Sequence, residues 1–204
     1  TRNSSICSNS NSMIKSICVF CASSEDLDEL YYEKATEFGR ALGRHKLNLI
    51  HGGGQIGLMG RLSKAALECS VHVTGIVPEA LNKTGIVSEY DSRTIVTRDM
   101  MTRKARMRKL ADAFVALPGG FGTFEELLEI ITLKQLKYHT KPIVILNVNN
   151  YFKYLLLQFE TAYNEKFANQ QYKQLFLVTD DIEEAIQYII NYRHQNVYDK
   201  YLKA

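Results

Sequence analysis

Short apolar runs alternate with segments of helical spacing from Ser16 onward. Seven runs of apolar and β-branched residues predict strands: ICVFC (17–21), LNLIH (47–51), HVTGIV (72–77), TIV (94–96), AFVAL (113–117), PIVILNV (142–148) and FLV (176–178). Six segments between them have helical spacing and predict helices: 26–43, 58–69, 100–111, 123–138, 151–168 and 181–193. Apolar strands that alternate with helices are typical of a parallel sheet with both faces covered. The pattern therefore predicts a single α/β domain with helices on both faces of a parallel sheet.

Composition narrows this prediction to a globular protein. The chain has 204 residues, of which 46% are hydrophobic and 23% charged, which excludes intrinsic disorder of the whole chain. A formal net charge of +3 is too small for a dedicated nucleic-acid-binding domain. No run approaches the ~18 apolar residues of a membrane span. We expect a Rossmann-like domain over residues 14–204 that binds neither nucleic acid nor membrane and is cytoplasmic.

The N-terminal residues differ from the rest in composition. Residues 1–12, TRNSSICSNSNS, are mostly Ser and Asn and lack the apolar stretch of a secretory signal. We expect residues 1–13 to form a disordered polar tail. A transit peptide remains an alternative, because the tail is rich in serine and lacks acidic residues.

The cysteines and histidines do not indicate a metal site or a disulfide scaffold. Cys18 and Cys21 form a CxxC pair inside a predicted strand, where residues three apart point to opposite faces. A redox pair would instead lie at a helix N-terminus, where the thiolate is stabilised. The five histidines form no pair at ligand spacing. We therefore expect buried structural cysteines, no metal and no cofactor.

The first of two glycine-rich loops is IHGGGQIGLMG (50–60), which follows a predicted strand and opens a predicted helix. In Rossmann-like sheets, ligands bind beyond the carboxyl ends of the strands. Gly52, Gly54 and Gly57 fit GxGxxG, and a helix N-terminus offers unpaired N–H groups to a phosphate. This context favours phosphate binding. The alternative is a tight turn that only brings the helix close to the strand.

The second glycine loop is LPGGFGTFEE (117–126), again between a predicted strand and a predicted helix. Gly119, Gly120 and Gly122 allow the backbone to wrap around an anion, and Thr123 can cap the helix or bind a phosphate. The alternative is a capping box, with Thr123 as the N-cap and Glu126 at the third helical position. Two such loops at one sheet edge favour a nucleotide phosphate and its sugar between two helix N-termini.

The segment RDMMTRKARMRK (98–109) predicts a helix with an arginine on its apolar face. That face carries Arg103 beside Met100, Met107, Leu110 and Ala111. A buried guanidinium without a partner is very costly. Two partners remain open at this point: a protein carboxylate, or a ligand phosphate held by two parallel hydrogen bonds.

GGGQIGLMG and PGGFGTFEE, in this order, resemble the GGGxxGLMG and PGGxGTxxE motifs of the LOG proteins. These are cytokinin riboside 5′-monophosphate phosphoribohydrolases. The resemblance runs from about Ser16 to Ile190, through VFCASS, GIVPEAL, MMTRKARM, EELLEIITLKQL, KPIVILN and DDIEEAIQYI. It implies a Rossmann-like homodimer that hydrolyses the N-glycosidic bond of N6-substituted adenosine 5′-monophosphates to free base and ribose 5-phosphate. An AMP-type nucleosidase of broader specificity and a non-catalytic nucleotide-binding module are the alternatives.

The resemblance also implies the residues of the site. Arg103 and Glu126 correspond to the family's catalytic pair. The positions that resemble substrate contacts are Ser23, Gly53, Gly54, Glu79, Arg103, Lys104, Gly119, Gly120, Phe121, Gly122, Thr123, Phe124, Glu125, Glu126 and Thr132. A carboxylate suits the reaction, because cleavage of a glycosidic bond builds positive charge on the ribose. The chain departs from the family pattern at Met101, Ala22 and His51, where His, Gly and Tyr are common.

The predicted helix 123–138 is apolar nearly all round. One face carries Leu127, Leu128, Ile130 and Ile131, and another carries Leu133 and Leu136. Such a helix is buried on both sides. We therefore predict a two-fold dimer through this helix.

Two other enzyme classes are alternatives to the hydrolase, but the sequence supports them less well. GxGxxG with Glu79 about twenty residues beyond the last glycine is typical of nicotinamide-dependent oxidoreductases, but here the loop follows the second predicted strand. A pyridoxal-dependent decarboxylase would need a lysine that forms a Schiff base, and no feature of the sequence identifies one.

Overall fold

The computed structural model describes residues 14–195 and contains all the predicted strands and helices. The strands are β1 (Ser16–Phe20), β2 (Asn48–His51), β3 (Val73–Pro78), β4 (Arg93–Thr97), β5 (Ala113–Ala116), β6 (Ile143–Leu146) and β7 (Leu177–Thr179). The helices are α1 (Glu29–Arg44), α2 (Gly57–Glu68), α3 (Met100–Leu110), α4 (Phe121–Gln135), α5 (Lys153–Asn164) and α6 (Ile182–Ile190). Short 3₁₀ helices lie at Glu79–Leu81, Val148–Asn150 and Gln170–Leu175. The polar tail predicted over residues 1–13, with its Cys7, lies outside the described residues.

The seven strands form one parallel sheet in the order β4-β3-β2-β1-β5-β6-β7. The central strand β1 pairs with β2 on one side and β5 on the other, so that Cys18 lies opposite both Ile50 and Phe114. The strand order reverses between β1 and β5. In open α/β sheets, ligands bind in the crevice that this reversal creates at the carboxyl edge. A ligand site is therefore expected among the segments that follow β1, β2, β3 and β5.

Helices cover both faces of the sheet, as predicted. Ile17 and Val19 of β1 pack with α1, α2 and α6, whereas Cys18 and Phe20 pack with α3, α4 and α5. This division follows from the two-residue period of a strand. Cys18 and Cys21 lie in different clusters, and both are buried free thiols. The predicted burial of both thiols is confirmed.

Among residues 14–195, no helix is long and apolar enough to cross a bilayer.

The last three helices along the chain end earlier than their sequence patterns predicted. The predicted segments 123–138, 151–168 and 181–193 give helices that end at Gln135, Asn164 and Ile190.

Candidate active site

A cleft of about 520 Å³ opens at the carboxyl edge of the sheet. The lining comes from the end of β3, from the segments that follow β1, β2, β3 and β5, and from the first two turns of α2, α3 and α4: Cys21, Ala22, Ser23, Ser24, Gly52, Gly53, Gly54, Ile56, Met59, Val77, Leu81, Ile86, Met100, Arg103, Gly120, Phe121, Gly122, Thr123, Glu125 and Glu126. Both glycine loops and the arginine of α3 therefore meet around one space, as the sequence predicted.

Two helices begin at this cleft without a side-chain cap. Asp side chains accept hydrogen bonds from the first turns of α1, α3 and α6. In contrast, the N-caps of α2 and α4 are Ile56 and Gly120, and neither helix has an acidic residue in its first turn. The first N–H groups of a helix have no intrahelical acceptor and carry partial positive charge. This arrangement suits an anion.

The structure rules out the capping box considered for α4. The helix begins at Phe121, so Thr123 is its third residue, while Glu126 lies beyond the first turn. Thr123 is buried, and a Cβ added at Gly119 would overlap its hydroxyl. Glu126 is therefore free of the capping role and faces the cleft.

The two glycine loops differ in what their glycines contact. A Cβ at Gly52 would overlap Nη2 of Arg103, and a Cβ at Gly57, whose φ is +67°, would overlap the backbone of Ser23 and Ser24. A Cβ at Gly120 or Gly122 would meet nothing within 4 Å. The first loop thus needs glycine for close packing, and the second presents open backbone to the cleft.

Arg103 and Glu126 form an ion pair at the base of the cleft. Nη1 of Arg103 donates to Oε1 of Glu126 at 2.9 Å, and Nε donates to the carbonyl of Ile76 at 2.9 Å. Their side chains are 9% and 12% exposed. The partner that Arg103 required is a protein carboxylate, which comes from a different helix.

Burial raises the pKa of Glu126, and Arg103 only partly opposes this effect. The sign follows because a low-dielectric environment disfavours the charged form of a carboxylic acid. Burial, with a smaller contribution from Glu126, also raises the pKa of the Cys21 thiol. A carboxyl with a raised pKa in a cleft is typical of an acid–base residue.

Other predicted contacts lie beside the cleft. Lys104 forms ion pairs with Glu125 and, at 3.7 Å, with Glu129. Arg108 joins Glu129 at 2.9 Å, so these side chains connect α3 to α4 and hold Arg103 opposite Glu126. Lys104 is absent from the cleft lining.

The remaining predicted positions outside the lining are Glu79, Gly119, Phe124 and Thr132. Glu79 is exposed at the end of β3, and Thr132 is exposed on α4 well beyond Glu126. Gly119 packs against the side chain of Thr123, and Phe124 stacks with Tyr151. The structure does not bring these four residues to the cleft wall of the single chain.

Sequence reasoning missed the apolar part of the cleft and its supports. Leu81, Ile86 and Met100 are exposed apolar residues of the lining. The helical period had placed Met100 on the apolar face of its helix, but no periodic pattern marks Leu81 or Ile86. The segment before β4 lies over the first glycine loop, because Ser88 N–H donates to the Gly53 carbonyl at 2.9 Å. His51, which stands where the family commonly has Tyr, pairs with Asp91: its Nε2 lies 2.6 Å from Oδ1 of Asp91.

No group of three or more His, Cys, Asp or Glu side chains that could hold a metal ion occurs in the described part of the chain.

The fold and the site define a Rossmann-type α/β protein with an anion-ready cleft above a guanidinium–carboxylate pair. A family model described as "Possible lysine decarboxylase" matches residues 59–189. The cytokinin riboside 5′-monophosphate phosphoribohydrolase LOG5 of Arabidopsis thaliana is 41% identical over 91% of this chain and 81% of its own. The probable phosphoribohydrolase LOGL6 of Oryza sativa subsp. japonica is 38% identical over 93% and 76%. The chain belongs to the LOG family.

Solved structures extend the similarity of the fold. The molybdenum cofactor binding protein of Rippkaea orientalis superposes with a TM-score of 0.66 at 22% identity, over 86% of this chain and 95% of that one. The molybdenum cofactor carrier protein of Chlamydomonas reinhardtii gives 0.64 at 22% identity, over 86% and 96%. At this identity the likeness concerns the fold alone.

Proposed function

We propose that the protein hydrolyses the N-glycosidic bond of N6-substituted adenosine 5′-monophosphates, releasing the free base and ribose 5-phosphate. The observation that carries the proposal is the Arg103–Glu126 pair, joined at 2.9 Å in the same cleft as the uncapped start of α4. The names of its relatives, cytokinin riboside 5′-monophosphate phosphoribohydrolases, support the substrate class.

The substrate phosphate binds at the N-terminus of α4. Phe121, Gly122 and Thr123 occupy the first three helical positions, whose N–H groups lack intrahelical acceptors. The missing Cβ atoms at Gly120 and Gly122 leave room for a phosphate to approach the backbone. The phosphate then orients the ribose so that its anomeric carbon lies near Glu126, which turns remote binding energy into positioning.

Glu126 is the group that acts on the ribose. As the bond between the anomeric carbon and the base nitrogen breaks, positive charge develops on the ribose, and the carboxylate stabilises it. Glu126 also orients the attacking water. The water oxygen bonds to the anomeric carbon, and the protons are shared between the new hydroxyl and the departing base. Arg103 keeps the carboxylate in position from below.

The base occupies the apolar side of the cleft. Leu81, Ile86, Met100 and Phe121 are exposed there, and an exposed apolar surface of this kind suits a planar base with an apolar N6 substituent. Met101 is 77% exposed and does not line the cleft, so its departure from the family pattern has no contact with this surface in the single chain.

The test is incubation of the protein with N6-isopentenyl-AMP, AMP and the unphosphorylated N6-isopentenyladenosine, with base release followed by chromatography. We expect base release from monophosphates only, because the phosphate supplies the contacts at α4. Equal cleavage of the riboside would refute the phosphate role. Cleavage of AMP as fast as the N6-substituted nucleotide would favour the broader nucleosidase.

The rival activities lack support at the site. None of the described residues that line the cleft is a lysine, as a Schiff base would require. The GxGxxG loop follows β2, whereas the dinucleotide fingerprint belongs to the first strand–helix turn of such a sheet.

We also propose a homodimer through α4. Leu128 of α4 is 40% exposed, and Leu136 and Tyr138, which follow the helix, are 37% and 77% exposed, so a second copy would bury apolar surface that one chain leaves open. A monomeric mass at micromolar concentration in light scattering would contradict this proposal.

The domain boundaries and the compartment stay proposals as well: a polar tail over residues 1–13, a catalytic domain over 14–204, and a cytoplasmic location. Cys18, Cys21 and Cys69 are free thiols, as is usual in a reducing compartment. Enrichment of a tagged chain in an organelle fraction would contradict the location.

A further inference from the structure

We propose that Tyr151 is a positioning residue for the phosphate loop: its hydroxyl holds the Gly119–Gly120 peptide so that the N–H of Gly120 faces the cleft. This inference rests on the proposed function, because it takes the start of α4 as the phosphate site. It concerns a residue that lies outside both glycine motifs and outside the cleft lining.

The hydroxyl of Tyr151 donates to the carbonyl of Gly119 at 2.6 Å. One residue earlier, the carbonyl of Pro118 accepts from the N–H of Ala22 at 3.0 Å. The loop between β5 and α4 is therefore held by two successive carbonyls. One is fixed by the segment after β1, and the other is fixed by Tyr151.

Each of these bonds orients a whole peptide group. The C=O and N–H of a planar trans peptide point in opposite directions. With its carbonyl directed at Tyr151, the Gly119–Gly120 peptide directs the N–H of Gly120 away from Tyr151. Gly120 lines the cleft, and a Cβ at this residue would meet only open space. Its N–H thus joins those of the first turn of α4 as a donor to an anion.

The same glycines make this peptide easy to rotate. A half-turn of the peptide changes ψ of Gly119 and moves φ of Gly120 from −84° into the positive region, which glycine adopts at little cost. A flipped peptide would present a carbonyl oxygen to the phosphate and repel it. The hydrogen bond from Tyr151 stabilises the donor-forward orientation.

The Tyr151 ring is itself well fixed. It stacks with Phe124 at 6.4 Å and contacts Phe152 and Tyr31 edge-on at 5.1 and 6.0 Å. Asn149 and Asn150, both in left-handed conformation, turn the chain after β6 and deliver Tyr151 to the neighbouring loop. Burial raises the pKa of Tyr151, so its hydroxyl remains a donor at neutral pH.

The test compares the wild-type protein with Tyr151→Phe, which removes one oxygen atom and keeps the ring. Tyr154→Phe is the matched control, because Tyr154 is 79% exposed on the adjoining helix. The measurements are KM and kcat for N6-isopentenyl-AMP, together with Ki for ribose 5-phosphate and for free N6-isopentenyladenine. Melting temperatures are recorded for all three proteins.

For Tyr151→Phe we expect KM and the Ki of ribose 5-phosphate to rise about tenfold, which corresponds to ~1.4 kcal/mol. The Ki of the free base stays within about twofold, because the Gly119–Gly120 peptide is not part of the apolar surface assigned to the base, and Tyr154→Phe changes none of these values. An unchanged Ki for ribose 5-phosphate, or an equal rise in both Ki values, would overturn the inference while wild-type turnover upholds the proposed function. Absence of base release by the wild type would overturn the proposed function first, and the inference with it.

Discussion

Replacing Glu126 with glutamine separates the chemical role of the carboxylate from its role in the fold. The two side chains have the same shape, and the amide oxygen of Gln can still accept from Nη1 of Arg103, now 2.9 Å from Oε1. The amide cannot stabilise positive charge on the ribose or orient water as a base. We expect kcat to fall by about 10²–10⁴, or about 2.7–5.4 kcal/mol of barrier, with a small change in KM.

The expected effect of Glu126→Gln on stability follows from the raised pKa of Glu126. A carboxyl whose folded pKa exceeds its unfolded value, near 4.3, favours folding while it is protonated. That contribution is fully present below the unfolded pKa and is lost as the pH rises through the folded pKa. Gln is neutral throughout, so at pH 7 the variant should melt at or above the wild-type temperature. The difference should shrink or reverse in acid.

Base release by chromatography and thermal unfolding by circular dichroism, both between pH 4 and 8, test this reasoning. The acidic limb of wild-type kcat should lie above the usual range of a glutamic acid, since the ionised carboxylate is the active form. Turnover by Glu126→Gln within tenfold of wild type would refute the catalytic role. A loss of more than about 3 °C at pH 7, about 1 kcal/mol for a chain of this size, would refute the argument from burial.

The other predictions concern the arginine and its surroundings. Arg103→Ala leaves Glu126 buried without its cation, so we expect about 3 kcal/mol of destabilisation, or about 6–12 °C in Tm, with higher KM and lower kcat; partial recovery of Tm in Arg103→Ala/Glu126→Gln would confirm the pairing. Gly52→Ala should lower kcat, because the methyl overlaps Nη2 of Arg103. Gly54→Ala, whose methyl would meet Met59 Sδ at 3.4 Å, is the steric control for Tm only, because Gly54 also lines the cleft. Equal Tm losses in both variants would contradict the displacement of Arg103.

The residue pattern predicted the fold because strand and helix periods are local properties. Ile17 and Val19 alternate with Cys18 and Phe20, and this alternation alone assigns the two pairs to opposite faces. The same logic required a partner for Arg103, since the helical period places the guanidinium among apolar residues. The family motifs added Glu126 to the prediction. The helical period around Arg103 and the motif that contains Glu126 can each be recognised within a window of a few residues.

Only the tertiary structure decided which groups meet. From the motif alone, a capping box formed by Thr123 and Glu126 was one alternative. The start of α4 at Phe121 excludes it. The close approach of Arg103 to Gly52 joins residues from different elements, and so does the hydrogen bond from Tyr151 to the carbonyl of Gly119. Such contacts depend on strand order and on the positions where helices begin. Local periodicity determines which face of an element is buried, and the assembled sheet determines what that face touches.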